Sequence, residues 1–175
     1  MITQTLRASL LAITVAVSPF VLASARAEYS EQNNAALAAA MKDAKTTLEA
    51  GLQASEQRGK PISAKFELDD GRLQLSVYTM QGNGFTEVVI DPATGTIAKA
   101  ETVTDPDDLA AATKQKEAAG NAAVSLLSAT QQAVRANNGF RAVRVVPELT
   151  GDGPVAQVTL LRGDASRTVS EKLNR

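Results

Sequence analysis

Few residues in this 175-residue chain have the types and spacing that chemistry needs. The acidic candidates are Asp69-Asp70 and the group Asp105, Asp107 and Asp108. Adjacent carboxylates in an Asp-Asp-Gly setting do not converge on one substrate, and they read as turn residues. The second group lacks the loop pattern that gathers six to eight oxygens around calcium, and it reads as the cap and first turn of a helix. Gln81-Gly82-Asn83-Gly84 looks superficially like a phosphate loop but has no lysine and no following helix, so a hairpin turn is expected. Lys42 and Lys45 form no Ser-x-x-Lys motif with nearby Ser55 or Ser63. Ser170 and Lys172 are too close to the chain end to suggest a nucleophile and its base. Arg135, Arg141 and Arg144 can line a basic edge, for which a solvated face is the default expectation. Tyr78, Met80 and Phe85 flank one hairpin and are the residues offered as a contact for a partner. The plainer reading is that Met80 and Phe85 fill the core, while the Tyr78 hydroxyl tolerates water.

Residue types that are missing narrow the chemistry further. The chain has no His and no Cys. Imidazole-based triads, the usual zinc sites and disulfides are therefore excluded, and folding rests on packing alone. Two Tyr, four Phe and no Trp leave few aromatic platforms. No nucleophile is paired with a base, so no catalytic, cofactor or metal site is assigned and the chain is read as not an enzyme.

The elements that position these residues begin after an N-terminal export signal. Arg7, the apolar stretch from Ala8 to Leu22 and Ala25-Arg26-Ala27 follow the order of a secretory signal peptide cut after Ala27, which predicts a periplasmic protein. The part after that cut, residues 28–175, has 16 Lys+Arg against 19 Asp+Glu, a formal charge of −3. That mild balance carries no nucleic-acid footprint and no polybasic membrane anchor.

Leu37, Met41, Ala44, Leu48 and Leu52 recur at helical spacing and predict one helix from Asn33 to about Gln57, stopped by Gly59 and Pro61. Alternation then predicts strands over Ile62–Leu68, Leu73–Tyr78 and Phe85–Asp91, with a short fourth over Thr96–Val103. Asp105 or Thr104 caps a second helix reaching Asn137, broken or kinked at Gly120-Asn121. Its buried side is expected to be Ala119, Ala123, Leu126, Leu127, Thr130, Ala133 and Val134. Strands from Phe140, from Val155 to Leu161 and from Ser166 to Leu173 complete the chain. Both halves read as helix then three strands, so the expected fold is α+β: tandem α-βββ units over residues 28–104 and 105–175, each a helix on a small antiparallel sheet, packed into one two-layer body.

Residues 54–101 resemble the PepSY domain. The resemblance rests on Gly59-Lys60-Pro61-Ile62, the strand Ala64–Leu68, Asp70-Gly71, Leu75–Tyr78 and above all Thr86–Ile97 with its Asp91-Pro92-Ala93-Thr94-Gly95 turn. The second half keeps the layout without that turn and reads as a degenerate copy. The resemblance implies a small exported module with no catalytic set, and restraint of an exported peptidase as a role. The function expected is therefore a non-catalytic periplasmic binding or regulatory protein with a protein partner in the cell envelope. The alternatives are a carrier or sensor for a lipid or peptide, and a structural protein acting through self-association.

Overall fold

A computed structural model describes residues 34–174. The expected signal peptide, residues 1–27, lies outside the described residues. The described residues are α+β, with four helices and one seven-stranded antiparallel sheet. The helices are α1 (34–40), α2 (Leu48–Ser55), α3 (Pro106–Gly120) and α4 (Leu126–Ala136), with a 3-10 turn at Glu56–Arg58. The strands are β1 (Lys60–Asp69), β2 (Arg72–Gln81), β3 (Gly84–Ile90), β4 (Ile97–Thr102), β5 (Arg141–Thr150), β6 (Gly153–Arg162) and β7 (Ala165–Lys172).

The two meanders join side by side into one sheet. The sheet order is β4-β3-β2-β1-β5-β6-β7, and β1 meets β5 through Ala64↔Val145 and Lys65↔Arg144. The second meander repeats the registers of the first at a constant shift of 81 residues: Ala64↔Val77 corresponds to Val145↔Val158, and Leu75↔Ile90 to Ala156↔Glu171. Even the irregularity between Pro61 and Ser63 recurs between Ala142 and Arg144. The turns explain the tight hairpins. Asp70 and Gly71 both have positive φ (48° and 74°), the conformation that a two-residue hairpin loop requires.

The main core lies between α2, α4 and one sheet face. Leu48 and Leu52 of α2 and Ala129 and Ala133 of α4 are buried against Leu75, Val77, Val88, Val145, Val158 and Leu160. Helix α3 lies on the opposite face, where Ala112 and Ala119 pack with Ile62 and Phe85. The side-chain alternation of β2 demands this: Tyr78 and Met80 point away from the core that holds Val77.

The helix expected over 33–57 is interrupted at 41–47. Thr47 is an extended N-cap whose hydroxyl accepts from the Ala50 N–H at 3.1 Å, so it starts a new helix. The Lys45 and Thr46 N–H groups donate to the Pro92 carbonyl, each at 3.0 Å, which docks the break on the β3–β4 turn. The hydrophobic stripe survives the break, with Met41, Leu48 and Leu52 all buried. The second long helix is also broken, after Gly120, as its Gly-Asn pair signals. Ala123 is exposed although its spacing put it on the buried side. Its N–H and that of Val124 donate to the Leu173 carbonyl at 2.7 and 2.9 Å, so the backbone there leaves helical phase.

Candidate functional site

The three residues offered as partner contacts come together, but beneath α3. Phe85 is buried with Ile62, Ala112 and Ala119, and Tyr78 and Met80 pack half-buried against the same cluster. Phe85 thus presents no surface for recognition. Lys116 lies over its ring at 6.0 Å and donates to the Gly82 carbonyl (3.2 Å) and to Asn83 Oδ1 (3.1 Å), tying α3 to the β2–β3 hairpin. Tyr78 borders a cavity of about 160 Å³ with Ser63, Lys65, Asp108, Gln115 and Arg144. Its phenol is held well above the ordinary range, first by burial and then by the Glu87, Asp108, Glu67 and Asp105 carboxylates. Such a phenol keeps its proton at physiological pH and acts there as a neutral hydrogen-bonding group.

Asp105 and Asp91 each hold a backbone turn. Asp105 Oδ1 accepts from the Asp107 and Asp108 N–H groups at 2.9 and 3.2 Å, the expected N-cap of α3. Asp91 Oδ1 accepts from Ala93 N (2.7 Å) and Thr94 N (3.1 Å), and Gly95 closes that turn at φ 77°. Among the described residues no group of three or more His, Cys, Asp or Glu is placed to hold a metal ion.

The arginines separate. Arg144 and Arg135 are exposed. Arg141 is half-buried and donates to the carbonyls of Met41 (3.0 Å), Ala44 (3.3 Å) and Thr46 (3.1 Å), satisfying the groups that the α1–α2 break leaves open. Lys60, which occupies the same place in the first meander, donates to the Ala119 carbonyl at 2.9 Å, at the α3–α4 break. Each meander therefore closes the helix break of the other half. Sequence reasoning placed Arg141 on a solvated edge. Nothing local marks its partners, which are about a hundred residues away.

An open groove of about 950 Å³ lies beside the Asp91–Gly95 turn. Leu73, Ile90, Pro92 and Ala98 give it an apolar floor, while Asp43, Asp69, Asp70 and Asp91 border it with a single cation, Arg72. It runs to β4, an edge strand exposed at Ala98–Thr102. Its lining comes from four separate turns and strand ends, which is why no single motif announces it. The opposite edge of the sheet is β7. No helix among the described residues is long and apolar enough to cross a membrane.

No family model, no curated protein and no solved structure matches this chain.

Proposed function

We propose that the protein is a non-catalytic binding and regulatory module of the periplasm, built from two PepSY-like α-βββ units, that captures an extended segment of an envelope protein. The observation that carries this reading is the groove beside the Asp91–Gly95 turn, apolar in its floor, acidic on its rim and continuous with the open edge of β4. A polypeptide added along β4 gains main-chain hydrogen bonds, and its alternate side chains reach the groove. The excess of carboxylates over cations at the rim favours a segment carrying Lys or Arg. The constant 81-residue shift between the two meanders supports the tandem arrangement. An exported peptidase is the partner class that the PepSY resemblance implies, held without turnover.

The test is capture from envelope extract by the mature protein, compared with an Asp43→Lys, Asp69→Lys double variant, followed by assay of exported peptidase activity. The reading expects a partner retained by the wild type and lost by the variant, together with a changed activity. Empty wild-type capture, or equal capture by both proteins, sinks it. The groove's volume also suits a small ligand, which favours the carrier as the second reading. Native mass spectrometry of freshly purified protein separates the two: a bound small molecule supports the carrier, and a bare protein mass rejects it.

A further inference from the structure

The two edges of the sheet are not alike. Strand β4 is six residues long, its pairing with β3 is interrupted between Val89 and Ile90, and a Lys99–Glu101 ion pair of 2.7 Å lies along it. Short length and an irregular register are devices that keep an edge from pairing with another copy of the same edge. Strand β7 is eight residues long and stays in unbroken register with β6 from Arg162↔Ala165 to Val155↔Lys172. Its centre, Thr168-Val169-Ser170, is uncharged, and among the described residues no strand lies outside it.

The direction of its free hydrogen-bonding groups follows from the register. Leu173 N donates to the Pro154 carbonyl at 2.9 Å, so the odd-numbered residues of this strand turn their backbone groups toward β6. Ser166, Thr168, Ser170 and Lys172 therefore turn theirs outward. We propose that β7 pairs antiparallel with β7 of a second copy of this chain, about a two-fold axis at Val169, and continues the sheet across the dimer. In that register Thr168 and Ser170 exchange main-chain hydrogen bonds with Ser170 and Thr168 of the second copy. Arg167 stands opposite Glu171 of the second copy, and the same pair recurs across the axis, a complementary arrangement at both ends. Both side chains are already oriented on the α4 side of the sheet. Arg167 lies over the Phe140 ring at 4.0 Å and donates to Asn137 Oδ1, and Glu171 accepts from Gln132 Nε2 at 2.8 Å. A single pair of strands makes a small contact, so the association is weak and concentration-dependent. This inference concerns the edge opposite the groove and stands independently of the function proposed above.

Sedimentation velocity on the mature protein over a range of concentrations is the test, with amide hydrogen exchange read at each concentration. The expected result is a monomer–dimer equilibrium, with exchange at Thr168 and Ser170 slowing as the dimer fills and exchange along β4 unchanged. Arg167→Glu and Glu171→Arg each set like charges opposite each other and weaken self-association by roughly tenfold or more. Mixed in equal amounts, these two variants restore complementary pairs and form a heterodimer. Thr168→Pro removes an outward N–H without touching the β6 ladder, so it yields a folded monomer by circular dichroism. A wild type that stays monomeric throughout overturns the proposal. So do a mixture that fails to associate, a dimer that survives Thr168→Pro, and β7 protection that appears only when another protein is added.

Discussion

Gly51 tests how closely α2 rests on the sheet. It lies inside α2 and is buried, and a Cβ built there would overlap the Leu75 Cδ2 methyl and come within 3.1 Å of Leu75 Cγ and 3.4 Å of Ile90 Cδ1. Two effects of Gly51→Ala oppose each other. Helix propensity favours Ala by roughly 1 kcal/mol. Forcing a methyl into a filled core costs about 1–3 kcal/mol. Leu75 and Ile90 are both 0% exposed, so the overlapped methyl has no solvent to swing into and the neighbours can relax only by displacing other core atoms. With no room to relax, the cost falls in the upper part of that range, about 2–3 kcal/mol, so packing should win with a net loss of about 1–2 kcal/mol. In urea equilibrium unfolding of residues 28–175, with a slope of roughly 2 kcal/mol/M, the midpoint should fall by about 0.5–1 M at unchanged slope. Gly120→Ala is the matched control. It lies at the end of α3 with no atom within 4 Å of the new Cβ, so propensity acts alone and stability should stay level or rise by up to about 1 kcal/mol. A Gly51→Ala protein as stable as the wild type would refute the argument that the α2–sheet contact leaves no room.

Two further predictions follow from buried polar chemistry. Arg141→Met removes the guanidinium donor from three carbonyls at the α1–α2 break, of which Met41 keeps a bond from the Ala44 N–H, and it should cost about 2–4 kcal/mol in urea unfolding. Arg141→Lys should recover only part of this, because an ammonium does not reproduce the guanidinium fork; full recovery would show that charge alone matters. Tyr78 should weaken the fold at alkaline pH. Its folded-state pKa lies above the ordinary value of 10.0, so below pH 10 both states hold the proton and nothing changes. As pH rises past 10 the unfolded chain releases that proton while the folded one keeps it, and stability falls. Midpoints measured from pH 8 to 11 should drop above pH 10 in the wild type and drop less in Tyr78→Phe.

The strands were legible because their alternation and turns are local signals. Asp70-Gly71, Gln81–Gly84 and Asp91–Gly95 fix hairpins within a few residues, and all three fall where the spacing put them. The break at 41–47 was not legible, because the apolar stripe runs through it unchanged. What interrupts the helix is the Thr47 cap together with the remote acceptor Pro92 and the remote donor Arg141. The side-by-side joining of the meanders depends on contacts between residues as distant as Ala64 and Val145, and period alone cannot distinguish that from stacked sheets. The same holds for the candidate site. Tyr78, Met80 and Phe85 were visible around one hairpin, but α3, which packs on them, comes from the other half of the sequence. The groove draws on turns that the sequence marks only as turns.

The exchange of cations between the halves makes each one guardian of the other's weakest backbone. Lys60 secures a carbonyl that belongs to the later helices, and Arg141 secures three that belong to the earlier ones. Loss of either cation therefore strips a donor from a helix break in the other half, so a defect in one meander is carried into the helices of its counterpart.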